Sequence, residues 1–339
     1  MSDMVTVAVD ALGGDNAPDV VLEGCDKALE QADDVSIVLC GPADVVEPFA
    51  ASHERCTARA TTQVITMGEH PANAVRKKKD SSIVVGCRLV KEGQAQGFFS
   101  AGSTGACLAA GTLVMGRIKG VARPALATIV PCPSKPVVMC DVGANADCKP
   151  EYLLQFARMA QIFTERIVGV SDPRVALLNI GEEETKGSKF AQETYALLKS
   201  ELPAFAGNAE GRDVMAGTYD VIVCDGFTGN VCLKTIEGTA KVLFGEIKRI
   251  MTKSALTKLG AATMMGGLSD LKKSVNPDTF GGAPLLGVKG ALLVGHGSSN
   301  AEAVKNGVLT TARIVREDVA GVIAQEVAAD RARAAQAAE

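Results

Sequence analysis

Short apolar runs and longer amphipathic stretches alternate along this chain. The runs at 5–10 (VTVAVD), 35–40 (VSIVLC), 97–101 (GFFSA), 125–130 (ALATIV), 136–141 (PVVMCD), 174–180 (RVALLNI), 220–225 (DVIVCD) and 291–296 (ALLVGH) read as strands. Several are apolar at nearly every position, which suits strands covered on both faces, as in a mainly parallel sheet. Helical periodicity fills 20–31, 151–164 and 189–202. The alternation predicts an α/β fold, doubly wound on a mainly parallel sheet. Residues 237–275 carry no strand signal and read as a helical hairpin inserted between two strands, its arms joined near 260–267. Residues 1–330 then form a single α/β domain that includes this hairpin. The Ala-rich end, 331–339, is a helix tail expected to fray.

Composition narrows the class. Of 339 residues, 47% are hydrophobic, 22% charged and only 4% aromatic, with no Trp, so the core must be aliphatic. A net charge of −4 gives no support to nucleic-acid binding. The ten cysteines form no CxxC pair, and Cys40, Cys140 and Cys224 each end an apolar run as small buried hydrophobes do. They read as reduced structural thiols of a cytoplasmic protein, neither a disulfide framework nor a zinc site. The first residues lead straight into a strand, without a signal peptide, and no run of apolar residues is long enough to span a membrane.

The chemistry gathers where strands end. VAVDALGGDNAP (7–18) leaves the first strand through two acids, a double glycine, an asparagine and a proline. FFSAGSTGA (98–106), VMCDVGANADCKP (138–150), LNIGEEETKG (178–187), VCDGFTGN (223–230) and VGHGSSN (294–300) repeat the pattern. In a parallel sheet the carboxyl ends share one edge, so these six loops are expected to line one crevice there. Glycine permits close backbone approach to a ligand, and N–H groups at helix starts favour an anion, so the crevice suits phosphate or carboxylate. Taken singly, each loop is equally a capped turn, since Ser, Thr, Asp and Asn are ordinary N-caps. No GK dipeptide, third glycine of a dinucleotide fingerprint, GxSxG elbow or HExxH pair occurs.

These loops, with HPANAVRKKKDSS (70–82), GRIKGVARPALA (116–127), DGFTGNVCLKTIEG (225–238), FGGAPLLGVKG (280–290) and GHGSSN, resemble the bacterial phosphate acyltransferase family, in order from residue 4 to 318. The resemblance implies a fold similar to isocitrate and isopropylmalate dehydrogenases and phosphotransacetylase. It implies transfer of a long-chain fatty acyl group from acylated acyl carrier protein to inorganic phosphate, without metal, nucleotide or other cofactor. The acyl phosphate would serve a membrane glycerol-3-phosphate acyltransferase in phospholipid synthesis. It further implies a cytoplasmic homodimer, peripherally associated with the membrane.

Such a reaction needs an anionic nucleophile held beside a thioester carbonyl, so positioning and charge neutralisation matter more than a strong base. Lys186 is the first candidate for a phosphate or oxyanion ligand; a solvated surface lysine is the plain alternative. Asn230 follows as an amide donor, or else a helix cap, and His296 as proton shuttle or donor, or else a structural histidine. Gly13, Gly14, Asn16, Ser103, Thr104, Asn145, Gly226, Thr228 and Gly229 are candidates to contact substrate. Asp10, Asp15, Asp141 and Asp225, odd company for an anion, are expected to orient loops, and Asn16 and Asn145 can do the same. His70 is given no role. A rival acyl-cysteine route would use Cys148, with Lys149 beside it lowering the thiol pKa.

Between 241 and 273 seven basic residues face only Glu246 and Asp270, with apolar residues interleaved. That suits an anionic bilayer or an acidic carrier protein, and Leu256, Leu259, Met264 and Met265 are the expected membrane contacts. The plain alternative is a dimer-forming helix pair with solvated lysines. Two other functions stay open on the residues alone. One is a related phosphotransacetylase or decarboxylating dehydrogenase, with Glu182–Glu184 and Asp225 as metal ligands. The other is a non-catalytic scaffold recruited to membranes.

Overall fold

A computed structural model describes residues 4–254, 257–258, 260–261, 263–264, 266–267, 271 and 277–337. One sheet of eleven strands crosses the molecule. From edge to edge it runs β3 (Cys56–Ala60), β2 (Val35–Gly41), β1 (Val5–Asp10), β4 (Gly97–Ser100), β11 (Ala291–Val294), β10 (Ala283–Leu286), β5 (Ala125–Val130), β6 (Val137–Cys140), β9 (Val221–Val223), β7 (Val175–Leu178) and β8 (Phe205–Ala209). Helices cover both faces: α1 (Asp19–Gln31), α2 (Ala43–Ala51), α3 (Pro71–Lys77), α4 (Ser82–Lys91), α5 (Thr104–Ala110), α6 (Pro150–Phe163), α7 (Lys189–Glu201), α8 (Gly211–Ala216), α9 (Gly226–Met251), α10 (Ala301–Arg316) and α11 (Val319–Ala337).

The continuous apolar strands are buried on both sides, and successive residues feed two different apolar layers. Val7 and Val9 pack with Phe99, Leu293, Val138, Leu177 and Val221, beneath α1, α6 and α10. Ala8 packs with Phe98, Leu292, Met139, Ala176 and Ile222, beneath α4 and α5. The period-two alternation thus survives as a choice of layer, with no polar face to mark it.

All eight predicted strands form. Three more escaped notice. β3 (CTARA) and β8 (FAGNA) are edge strands with exposed or half-buried residues, so their apolar signal is diluted. β10 (APLL) contains Pro284 and follows Gly281 and Gly282, punctuation that normally argues against a central strand.

The sheet also corrects the expectation of one shared edge. β3, β2, β1, β4 and β11 are parallel, but β10 is antiparallel to both β11 and β5, and β5 is antiparallel to β6. β6, β9, β7 and β8 are again parallel to one another, so this second block runs opposite to the first. The six loops therefore divide three and three between opposite ends of the strands.

One helical boundary differs from expectation: the first arm of the hairpin starts at Gly226, inside the loop after β9, rather than at 237. The Ala-rich tail is helical to Ala337, with Asp330 paired to Arg158 and Arg333 reaching Asp330 and Glu326. No helix among the described residues is long and apolar enough to cross a membrane.

One surface contact has a titratable consequence. His53, just after α2, stacks on Phe49 with ring centroids 4.1 Å apart. Its Nδ1 is 2.7 Å from the Phe49 carbonyl oxygen and its Nε2 2.9 Å from the Asp26 carboxylate. Two acceptors flank the ring, so the imidazolium satisfies both, and the Phe49 carbonyl, then Asp26, hold the pKa above 6.5. A raised folded pKa contributes stability that is full below the unfolded value and lost as pH rises through the folded one. His53→Gln is expected to lower Tm clearly at about pH 5.5 and much less at about pH 9. An equal loss at both values would assign the effect to packing instead.

Candidate functional site

The loops of the first block are tied together by one buried acid and by backbone contacts. Asp10, at the end of β1, accepts from Ser100 Oγ at 2.7 Å and from the Leu12 N–H at 3.1 Å. Burial raises its pKa, and the Ser82, Ser100 and Leu12 donors oppose that shift. The Asp15 N–H donates to the Gly297 carbonyl at 2.7 Å, joining the β1 loop to the β11 loop. Gly13 is close to the β4 loop: a Cβ there would meet the Ala101 nitrogen at 2.8 Å.

A second buried acid organises the other block. Asp141, fully buried after β6, accepts the N–H groups of Leu126, Gly143, Ala144 and Asn145 at 2.8–3.2 Å, and the Asn145 side-chain amide at 2.8 Å. Burial pushes its pKa up while these donors resist. The β9 loop docks onto this knot through a Gly226 N–H to Asn145 carbonyl bond of 2.7 Å. A side chain at Gly229 would collide with the Asp141 carbonyl oxygen, so only glycine allows that approach. Asp225 caps α9, accepting from the Thr228 N–H at 2.9 Å and its hydroxyl at 2.8 Å.

Between the two knots, along β5 and β10, lies a cavity of about 350 Å³. Leu126, Ile129, Val142, Leu233 and Phe280 supply apolar wall. Thr104, Asn230, Lys234, Glu237, His296 and Ser298 supply polar groups. Thr104 and His296 come from the first block, Asn230 and Val142 from the second. The reversed sheet still brings both loop sets to one cavity, which runs along β5 from Leu126 to Ile129 and touches β10 at its first residue, Ala283. His296 Nδ1 is 2.8 Å from Ser298 Oγ, and its Nε2 is 3.4 Å from Lys234 Nζ. Lys234 Nζ is 2.7 Å from Glu237 Oε2.

The expected site residues fall into three groups. Thr104, Asn230 and His296 line the cavity, and the Asn230 side chain meets no hydrogen-bond partner among the described residues. Ser103, Asn145, Gly226, Thr228 and Gly229 lie in the flanking loops, where they cap helices or pack loop on loop. Ser103 caps α5, accepting the Ala106 N–H at 3.4 Å, and the Asn145 amide is spent on Asp141 and the Pro124 carbonyl. Gly13, Gly14 and Asn16 belong to the β1 loop and do not line the cavity; Asn16 is exposed. Asp10, Asp141 and Asp225 bond loop groups, while Asp15 makes its tie through its backbone N–H and leaves its carboxylate exposed.

Lys186 stands apart from the cavity lining, exposed on the loop after β7. Its loop is held by Asn179 Nδ2 to the Lys186 carbonyl at 3.2 Å and Gln192 Nε2 to the Thr185 carbonyl at 2.8 Å. The acids beside it are engaged elsewhere: Glu182 pairs with Arg212 and Glu184 with Lys199. Among the described residues Glu182, Glu183, Glu184 and Asp225 do not come together as a group that could hold a metal ion, as the dehydrogenase alternative would need. Cys148 is a poor nucleophile here, because burial, reinforced by the Asp141 and Asp225 carboxylates, pushes its thiol up to about 12. Sequence reasoning missed Lys234 and Glu237. Their signal was spacing: with Asn230 they stand at i, i+4 and i+7 on one face of α9. Of the expected membrane contacts, Leu256, Leu259 and Met265 lie outside the described residues, and Met264 is exposed.

Comparison with known proteins adds a family. The model of the family described as "Fatty acid synthesis protein" matches residues 5–322. A phosphate acyltransferase of Desulfitobacterium hafniense is 47% identical, covering 96% of both chains. One of Heliobacterium modesticaldum is 46% identical over 95% of this chain and 97% of its own. In fold, the chain is similar to a phosphotransacetylase from Streptococcus pyogenes (TM-score 0.56, 17% identity, 91% and 93% of the chains). It is also similar to a branched-chain phosphotransacylase from Enterococcus faecalis (TM-score 0.57, 15% identity, 92% and 99%).

The two acids predict different costs. Asp141→Ala strands several buried N–H groups and is expected to lose roughly 3 kcal/mol or more of stability. Asp225→Ala removes a cap and should lose about 1 kcal/mol. Urea denaturation of both variants decides; equal small losses would remove Asp141 from its organising role.

Proposed function

The chain belongs to the phosphate acyltransferase family and is an acyltransferase, and from that premise we propose that it moves a long-chain acyl group from acyl carrier protein to inorganic phosphate. The observation that carries this reading is the cavity itself. Apolar side chains of Leu126, Ile129, Val142 and Leu233 and polar ones of Asn230, His296 and Thr104 line it together. An acyl thioester needs the first and a phosphate nucleophile needs the second.

The chemistry is direct displacement. An oxygen of bound hydrogen phosphate attacks the thioester carbonyl carbon, forming the C–O bond and a tetrahedral oxyanion. The C–S bond then breaks, the phosphate proton ends on the departing thiolate, and acyl phosphate leaves. Asn230 donates to the developing oxyanion or to phosphate, and Thr104 donates its hydroxyl. His296 relays the proton between phosphate and thiolate. Lys186, exposed and outside the cavity lining, acts on the anion's approach, a cation without an acidic partner among the described residues. The remaining glycine-loop candidates, Gly13, Gly14, Gly226 and Gly229, hold the backbone of the two knots in place.

The same reading extends to assembly. Val231, Val242, Leu243, Ile247 and Ile250 stand exposed along α9, with Val242 at 65% and Leu243 at 58%. Such a row suits pairing with a second copy in a homodimer. The basic, apolar segment beyond it, with Met264 among its members, suits peripheral contact with an anionic bilayer. The product would pass there to a membrane glycerol-3-phosphate acyltransferase.

Incubation with long-chain acyl-acyl carrier protein and phosphate, followed by hydroxylamine, is expected to give phosphate-dependent hydroxamate; none from folded protein with intact thioester would discard the reading. Lys186→Ala should lower turnover about tenfold or more at unchanged Tm, whereas near-normal turnover removes Lys186 from the mechanism. Met264→Glu should weaken co-sedimentation with anionic liposomes, and unaltered binding would sink the membrane contact.

A further inference from the structure

We propose that Lys234 is the cation that receives the phosphate, and that Glu237 occupies its ammonium until phosphate arrives. The inference rests on the acyltransferase reading and names the ligand set of its nucleophile. Among the cavity's described lining residues Lys234 is the one lysine or arginine. Two carboxylates share the lining, Glu237 beside Lys234 and Asp278 bonded to the Asn300 amide, so an anionic nucleophile entering this cavity finds its one lysine or arginine here.

The geometry around that charge is specific. Lys234 Nζ lies 2.7 Å from Glu237 Oε2 and 3.4 Å from His296 Nε2. Asn230 precedes Lys234 by one helical turn, and Glu237 follows it by nearly another, all on the cavity face of α9. The Lys234 side chain is half exposed and that of Glu237 about a third exposed, so neither is locked by packing. A carboxylate offers the ammonium one negative charge, whereas hydrogen phosphate offers two and more acceptor oxygens. Phosphate thus displaces Glu237 from Nζ, and Lys234, Asn230 and His296 surround it. Glu237 is a positioning residue: it keeps the ammonium aimed into the cavity and opposes weakly charged anions.

This arrangement predicts opposite effects from two charge removals three residues apart. Phosphate titrations with saturating acyl-acyl carrier protein, and phosphate binding followed by ³¹P NMR without thioester, are measured on the full chain. Lys234→Ala should raise the phosphate KM and Kd about tenfold or more, with Lys234→Arg restoring part of the loss. Glu237→Gln should lower the phosphate KM and Kd by roughly threefold, because it frees the ammonium and removes a repulsive charge. A merely structural ion pair would instead lower Tm in both variants and leave phosphate Kd alone. Wild-type Kd in a folded Lys234→Ala protein, or shifts of the same sign in both variants, would overturn the proposal. The two readings fail separately. Absent acyl phosphate from the wild type discards the acyltransferase reading, while Lys234-dependent phosphate binding stands or falls on the NMR titration alone.

Discussion

β10 fixes the geometry on which the site depends. Its four residues pair antiparallel with β11 at one end and with β5 at the other, joining two parallel blocks that run in opposite directions. Without that strand the loops after β1, β4 and β11 and the loops after β6, β7 and β9 would belong to separate sheets. Gly281 and Gly282, both at positive φ, bring the backbone into β10. A Cβ on Gly281 would strike the Gly307 backbone in α10, and one on Gly282 the Val294 carbonyl group. Side chains are thus excluded where the chain must squeeze between α10 and the end of β11, and the same residues line the cavity.

The acids of the glycine-rich loops are explained by what they accept. Asp10 and Asp141 are buried, and their oxygens meet N–H and O–H donors of neighbouring loops. They are internal anchors that tie strand ends together. Of the two carboxylates that line the cavity, Glu237 is met by Lys234 and Asp278 accepts from the Asn300 amide. On the proposed reading two kinds of carboxylate serve one anion site: buried ones that hold its loops and an exchangeable one that keeps its cation in position.

Much of this was legible in the residues. Eight strands announce themselves as apolar runs, because a strand covered on both faces needs apolar residues at every position. β3 and β8 did not, since an edge strand such as CTARA carries Thr57 and Arg59 toward solvent. β10 hid behind Pro284 and its glycines. Strand direction was invisible, because parallel and antiparallel burial produce the same apolar run, and the expectation of one shared edge failed for that reason. Loop chemistry was legible at Thr104, Asn230 and His296, which line the cavity. Ser103, Asn145 and Thr228 turned out to satisfy local N–H and carbonyl groups, the ordinary fate of such residues in turns. Lys234 carries no loop signal of its own, because it lies about two turns into the helix that begins at Gly226.

The claim that one cavity, shared between two opposed blocks, holds the anionic nucleophile is tested most directly by crystallography with a heavy phosphate analogue. Crystals of the full chain soaked in tungstate would locate the anion by anomalous scattering. The account predicts a peak within hydrogen-bond reach of Lys234 and Asn230, with Glu237 turned away from the ammonium. A peak confined to the β1 loop at Gly13 and Gly14, with the Lys234–Glu237 pair intact, would contradict it.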